Sequence, residues 1–377
     1  MKFIHLSDLH IGKRIKEYSL IEDQKYILKE ILGIVKDEKP DAVLIAGDVY
    51  DKSIASTEAV SLLDDVVIRL HALVKNVFII SGNHDSSERL AFGSRLMQSQ
   101  GVYISPVYDG KVEPTVLEDE FGKVNIYMLP FIKPVHVHAA FPDEEIDSYT
   151  SAVKIAVNNM NIDENDRNVL ITHQFVTGAS RSDSEEFSVG GTDNIDASVF
   201  DCFDYVALGH IHSPQKIGRE TVRYCGTPLK YSMSEANQQK SVSVVEFNKK
   251  DDITVRTVEL TPMHDMREIR GTYDELMNKK NYEGTATDDY IHVVLTDEED
   301  VPDAISKLRT VYPNILDIEY DNKRTRSRGT ITEAVDVEQK TPYELFMEFY
   351  EKQNGQQLSE EQSSYTTSLI EELEEGK

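Results

Sequence analysis

Phe3-Ile4-His5-Leu6-Ser7-Asp8-Leu9-His10 opens the chain: a short apolar run that passes straight into an Asp-x-His pair. The same succession then recurs along the first half and beyond. Ala42 to Ala46 leads into Gly47-Asp48-Val49-Tyr50-Asp51, and Val77-Phe78-Ile79-Ile80 leads into Gly82-Asn83-His84-Asp85. Val169 to Thr172 ends on His173-Gln174, and Tyr205 to Leu208 on Gly209-His210-Ile211-His212. Short apolar runs bounded by Gly, Asp and Asn read as buried strands. Between them, residues 20–38 and about 56–73 read as amphipathic helices, the first stopped by Pro40. Strand and helix in alternation predict an α/β layer architecture. Such sheets build their sites in loops beyond the carboxyl ends of strands, so these Asp, Asn and His side chains are expected on one rim.

Further along, Asn125 to Leu129 reads as another strand, and Thr221 to Glu259 as consecutive short strands such as Ser241-Val242-Ser243-Val244-Val245-Glu246-Phe247. The character changes near Thr261-Pro262. Residues 1–262 are therefore taken as one domain and 263–329 as a small α+β module. Its expected strands are Tyr290 to Leu295 and Ile315 to Tyr320, around a helix at about 302–311. The module ends in the basic run Lys323-Arg324-Thr325-Arg326-Ser327-Arg328. Such a run is ordinarily a solvated surface; here Lys323, Arg324, Arg326 and Arg328 are also the best candidates for phosphate contact.

Residues 330–377 read as a linker and helical tail. Thr341-Pro342-Tyr343-Glu344 starts a helix with Thr as N-cap, Pro at N1 and Glu at N3. Leu345, Phe346, Phe349 and Tyr350 share one apolar stripe. Ser359 to Gln362 repeats the capping pattern, ahead of a second stripe of Tyr365, Leu369, Ile370 and Leu373. Either the two helices pack on each other or the body, or they dock into a partner's groove.

Composition sets outer limits. A chain of 377 residues with 40 % hydrophobic residues has enough apolar side chains for ordinary cores. No apolar run approaches the length of a membrane span, and an acid at Asp8 argues against a signal peptide. The composition reads as a soluble cytoplasmic protein. Cys202 and Cys225 form no CxxC pair, which excludes a disulfide framework, and both are expected in the core. A formal net charge of −27 opposes free-standing nucleic-acid binding, which normally uses a basic face. If the substrate is DNA, bound cations, a local basic patch or a partner must offset that field.

Imidazole nitrogen, carboxylate oxygen and amide oxygen together suit Mn, Fe or Zn, and no thiolate takes part. Two ions roughly 3.5–4 Å apart can bind the attacking and leaving oxygens of a phosphoryl displacement. A bridging carboxylate holds two cations that close, and Asp48 is the choice for it. Glycines before Asp48, Asn83 and His210 permit a tight backbone there.

The ordered set DxH, GDxxD, GNHD, H and GHxH resembles the signature of the calcineurin-like metallophosphoesterase superfamily, whose fold is a β-sandwich flanked by helices. The resemblance implies that Asp8, His10, Asp48 and His212 hold one ion, and Asp48, Asn83, His173 and His210 the other. It makes His84 the group that protonates the leaving oxygen, with Asp51 or Asp85 orienting His84 or a ligand. Asp204-Tyr205-Val206-Ala207-Leu208-Gly209-His210-Ile211-His212, Arg223-Tyr224-Cys225-Gly226-Thr227-Pro228-Leu229, and Tyr231 to Ala236 leading to Lys240 narrow the likeness to the SbcD-type nuclease subunits. For that branch the implied activity is metal-dependent cleavage of DNA at duplex ends and hairpins, in repair and recombination, with Mn2+ the expected ion. The implied partner is SbcC, a coiled-coil ATPase of the SMC type, bound through the tail helices. The module from 263 would cover DNA, and segments near 56–73 and 88–98 would form a homodimer.

Two rivals remain. The first is a protein phosphatase or small phosphodiesterase on the same scaffold, acting on a non-DNA phosphate ester; protein phosphatases of this type follow GDxxD with Arg-Gly, where this chain has Lys52-Ser53. A non-enzymatic adaptor would have lost ligands, yet every ligand position and His84 are filled. His136 and His138, in Pro134-Val135-His136-Val137-His138, form another His-x-His, expected on a strand and as ordinary surface histidines. His5 is expected to be structural.

Overall fold

In the computed structural model the alternation becomes two sheets stacked face to face. The structure describes residues 1–185, 193–323 and 325, with 346, 347, 350, 351, 358, 359, 362, 363, 365, 366 and 369 of the tail. β1 (Lys2–Leu6) is followed by a small hairpin, β2 (Arg14–Ile15) and β3 (Tyr18–Ser19), and then by α1 (Ile21–Glu38) and β4 (Ala42–Ala46). Next come α2 (Thr57–Leu73), β5 (Asn76–Ile80), the short helices α3 (Ser87–Leu90) and α4 (Ser94–Met97), and β6 (Val102–Ile104). β7 (Thr115–Asp119), β8 (Gly122–Leu129), α5 (Pro134–Ala140), α6 (Tyr149–Asn158) and β9 (Arg167–His173) lead to β10 (Tyr205–Gly209), β11 (Gln215–Ile217) and β12 (Arg219–Tyr224). β13 (Ser241–Phe247) and β14 (Ile253–Glu259) then return to the first sheet.

Among the described residues, the strand orders are β14-β13-β1-β4-β5-β6 and β11-β12-β10-β9-β8-β7. The central strands β1, β4 and β5 are parallel, as are β8, β9 and β10, so their carboxyl ends point the same way within each sheet. Strands covered on both faces need apolar residues throughout, and all of Ala42–Ala46 is buried. Phe3, Leu44 and Phe78 of one sheet meet Val169, Ile171 and Tyr205 of the other in a core between the sheets. A second core lies under α1 and α2, and a third under α5 and α6. α2 is capped by Ser56, whose hydroxyl accepts from the Ala59 N–H, and α1 ends at left-handed Lys39 before Pro40.

His5 ties the sheets together. Its ring meets the Tyr205 hydroxyl at 2.9 Å and the Leu208 carbonyl at 3.2 Å, and burial pushes its pKa down to about 3. The neutral ring accepts from Tyr205 and donates to Leu208, which is the structural role expected of it.

Three local expectations fail for identifiable reasons. His136 and His138 lie on helix α5, with Pro134 near its start, so they do not share a strand face. The helix expected at 302–311 is shorter, α9 (Ala304–Leu308). Cys202 is only partly buried, against the third core, whereas Cys225 is fully inside.

The chain divides into two compact units, residues 1–294 with 301–319 and residues 295–300 with 320–377. Within the first, β15 (Met266–Gly271), α7 (Tyr273–Met277), α8 (Lys279–Tyr282), β16 (Tyr290–Leu295), α9 and β17 (Ile315–Tyr320) follow the sandwich, all but the last residue of β16 and of β17 falling in that unit. Met266, Tyr290 and Leu316 join the core beneath α1, and the Tyr290 hydroxyl donates to Asp23 at 2.9 Å. In the second unit, Ser359 and Gln362 cap each other reciprocally at 3.0 and 3.3 Å, as their pattern predicts. Phe346 and Tyr350 stand 6.5 Å apart, centroid to centroid. Leu345, Phe349, Arg324, Arg326 and Arg328 lie outside the described residues, while Lys323 is exposed. Among the described residues no helix is long and apolar enough to cross a membrane.

Candidate metal centre

The five motifs converge at the carboxyl ends of β1, β4, β5, β9 and β10, and the side chains expected to ligate interlock. Asp8, His10, Asp48, His173, His210 and His212 are all buried. Asp48 Oδ2 lies 3.6 Å from His10 Nε2, 3.3 Å from His173 Nε2 and 3.9 Å from His84 Nε2. One oxygen thus faces rings from both expected ligand sets, the position a bridging carboxylate needs. Asn83 Oδ1 lies 3.0 Å from His173 Nε2 and 2.9 Å from His210 Nδ1. The Nε2 atoms of His10 and His212 face each other at 3.2 Å.

Ring orientations are fixed from behind. The His173 Nδ1–H donates to the Ala46 carbonyl at 2.8 Å, which turns Nε2 inward toward Asp48 and Asn83. Crowding requires the glycines: a Cβ on Gly47 or Gly209 would overlap the His173 ring, and one on Gly82 would overlap Asp48. Gly47 also has φ of 84°.

The donor set fits divalent cations. Asp8 Oδ2 and His10 Nδ1 are buried without a hydrogen-bond partner, a costly state for polar atoms unless something ligates or charges them. Asp8-His10-His212, His10-Asp48-His84 and Asp8-Asp48-His173 each bring ligand atoms within 4.8 Å of one another. Imidazole, carboxylate and amide oxygen without thiolate suit Mn, Fe or Zn.

Burial and mutual charge set the protonation balance. Burial raises the Asp8 carboxyl above its usual range, with the neighbouring histidines opposing. Burial also acts upward on Asp48, but the surrounding imidazoles, His173 foremost, hold it well below. His173 moves up because the Asp48 charge outweighs its burial, while burial and His173 push His210 down to about 3.

His84, Asp51 and Asp85 stand beside this set. The His84 ring holds the Asp51 carbonyl at 3.1 Å through Nδ1, its T-shaped contact with His10 has centroids 4.8 Å apart, and its side chain is 14 % exposed. The Asp51 carboxylate does not reach it, binding Lys13 at 2.8 Å and lying 3.8 Å from His10 Nδ1. The Asp85 carboxylate accepts from the backbone N–H groups of Val49, Tyr50 and Gly82 at 2.9–3.0 Å, so it clamps the Asp48 loop to the Asn83 loop. Burial and the Asp48 charge raise its pKa, and the three donors oppose them.

Several polar groups at the site were given no role by the sequence. Gln24, on α1, donates to the His10 carbonyl at 2.7 Å and accepts from the Gly12 N–H at 2.9 Å. Ser184, Glu185, Glu235 and Lys240 surround His212. Glu235 belongs to the family-like stretch from Tyr231 to Ala236, but nothing local says which way it faces.

Residues 1–214 match the calcineurin-like phosphoesterase family. Residues 262–354 match a family described as the type 5 capsule protein repressor C-terminal domain. Among curated proteins, the SbcD subunit of the SbcCD nuclease from Staphylococcus epidermidis is 33 % identical over 377 residues, covering 98 % of each chain. Among solved structures, a dimetal phosphatase from Danio rerio aligns at 11 % identity over 70 % of this chain and 98 % of its own, with a TM-score of 0.38.

Proposed function

Because the chain belongs to the calcineurin-like phosphoesterase family, and within it to the SbcD-type nuclease subunits, we propose that it hydrolyses DNA phosphodiester bonds with two divalent ions. The observation that carries the two-ion reading is Asp48 Oδ2, which lies within 3.6 Å of both His10 and His173. Asp8, His10, Asp48 and His212 would hold one ion, and Asp48, Asn83, His173 and His210 the other, with Mn2+ as the expected metal. Bound there, the ions would supply Lewis acidity toward the phosphoryl group.

The chain's own groups do the rest. His84, held through Nδ1 by the Asp51 carbonyl, turns Nε2 toward Asp48 and from there gives a proton to the leaving oxygen. Asp51 places both that carbonyl and Lys13, and Asp85 fixes the two loops. The proposed substrates are duplex ends, for exonuclease action, and hairpins or single strands, for endonuclease action, in repair and recombination.

With so acidic a chain, an SbcC-type ATPase that carries much of the DNA surface would relieve the charge conflict. Its docking helix is assigned to Leu345, Phe346, Phe349 and Tyr350, of which Phe346 is 41 % exposed. The DNA contact is assigned to Lys323, Arg324, Arg326 and Arg328. A homodimer through 56–73 and 88–98 is supported by Phe92 and Leu96, 86 % and 81 % exposed, and by Ile68 at 60 %.

The test is Mn-dependent cleavage of labelled linear duplex and hairpin DNA, alone and with SbcC. Cleavage that disappears in His84→Gln supports the reading. No DNA cleavage in either setting, alongside robust phosphopeptide hydrolysis, overturns it.

A further inference from the structure

Behind His212 runs a chain of polar groups that contributes no atom to the ligand set. Ser184 Oγ lies 2.5 Å from His212 Nδ1. The same hydroxyl and Glu235 Oε1 are 2.5 Å apart. The other Glu235 oxygen holds Lys240 Nζ at 2.5 Å, and that ammonium also donates to the His212 carbonyl at 2.9 Å. The His212 N–H donates to Glu185 Oε1 at 2.7 Å. Glu235 is 0 % exposed and Lys240 4 %. A buried ion pair is seldom better for stability than an apolar pair of the same shape, because both charges must leave water. This one ends on the ring nitrogen of a histidine in the site.

We propose that Glu235, acting through Ser184, is a positioning residue that fixes the His212 tautomer and so tunes one of the two ion sites. The proposal rests on the two-ion reading above. Its logic is directional. A carboxylate paired with Lys240 only accepts, so the Ser184 hydroxyl must donate to it. The hydroxyl oxygen can then only accept, which puts the His212 proton on Nδ1 and leaves the Nε2 lone pair facing Asp8 and His10. Without the carboxylate the hydroxyl can reverse and donate to Nδ1. The proton then moves to Nε2, where it blocks ligation. Groups that orient a metal-binding histidine in this way typically change metal affinity or activity 10- to 100-fold when lost.

The experiment is calorimetric Mn2+ titration of the metal-free full chain, with wild type, Ser184→Ala, Ser184→Thr and Glu235→Gln compared. The expected result is two sites in wild type, with one weakened about 10- to 100-fold in Ser184→Ala and Glu235→Gln and the other unchanged. Ser184→Thr, which keeps the hydroxyl, should restore the weakened site. Ser184→Ala removes a single hydroxyl and leaves one ring N–H without its partner, so the metal-free chain should still fold and melt cooperatively within a few degrees of wild type even if Glu235→Gln fails to fold. Two wild-type sites that stay intact in Ser184→Ala, or weaken together, overturn the relay alone. A wild-type chain that takes up fewer than two ions overturns the two-ion reading, and the relay with it.

Discussion

Asp85→Ala removes a carboxylate whose two oxygens are both used by the backbone. Val49, Tyr50 and Gly82 donate to it at 3.0, 2.9 and 2.9 Å, the Val49 and Gly82 groups belonging to buried residues while Asp85 itself is partly buried. Each buried N–H left without a partner costs about 1–3 kcal/mol. Water entering the small cavity would recover part of this, so the total should be roughly 4 kcal/mol. Unfolding entropy near 2.1 cal/mol/K per residue, over a unit of about 300 residues, converts that loss into a melting shift of roughly 6 °C. Asp85→Asn keeps one oxygen for two of the donors and turns an amide N–H toward the third, so about half the shift is expected. Calorimetry on the metal-free chain measures both. Because the clamp joins the loops of Asp48 and Asn83, metal affinity should fall as well, while the pH–rate profile keeps its shape. If Asp85→Ala melts within a degree of wild type and the pH–rate profile moves instead, the carboxylate acts on the chemistry and the clamp argument is wrong.

His84→Gln should lower kcat about 10²- to 10⁴-fold and leave two metals per chain by elemental analysis; loss of a metal would make His84 a ligand instead. Gly209→Ala drives a Cβ into the Ala46 carbonyl and the His173 ring, so most of the chain should be insoluble or unfolded on expression, whereas Gly33→Ala, mid-helix with no neighbour within 4 Å, should raise stability by about 0.5–1 kcal/mol. Chelation should lower the melting temperature: two sites each at 100 times Kd contribute about 5 kcal/mol by mass action, or roughly 8 °C. A melting curve indifferent to Mn2+ and chelator would mean that the folded chain does not bind the ion.

The central strands and all the ligand candidates were legible in the sequence because the same physics sets both. A strand covered on two faces must be apolar along its whole length, and its first polar residue then falls at the rim. Val135-His136-Val137-His138 alternates like a strand, but Pro134 starts a helix there, and a Pro at a helix start outweighs a four-residue alternation. β15 was hidden because Met266-Arg267-Glu268-Ile269-Arg270-Gly271 leaves most of its side chains partly or fully solvated, and β7 because its polarity does not follow its faces: apolar Val116 is exposed while Asp119 is on the more buried side. Ser184 and Glu235 were illegible for another reason: they meet across 51 residues, and no periodicity reports a contact at that separation.

The ligand loops also show why this site can exist before any ion arrives. Asp8, His10, Asp48 and His210 all adopt positive φ, at 52°, 43°, 46° and 104°, in a chain of L-residues that pays roughly 1–2 kcal/mol for each such conformation. Such strain persists only where neighbouring bonds over-determine the backbone. Asp8 N donates to the Gly47 carbonyl at 3.1 Å and His10 N to the Asp48 carbonyl at 2.9 Å, lacing the first loop to the second. The carboxylates then divide their oxygens. Asp8 Oδ1 accepts the His210 N–H at 2.9 Å while Oδ2 has no partner, and Asp48 Oδ1 accepts the His84 N–H at 2.9 Å while Oδ2 faces the imidazoles. In each, one oxygen braces another site-bearing loop and the other is left for an ion. Removing the ion therefore takes away binding energy and charge balance, but not the bonds that shape the loops. The metal-free chain should keep the ligands in place, and their geometry depends on contacts such as the Asp85 clamp rather than on the cations they are arranged to hold.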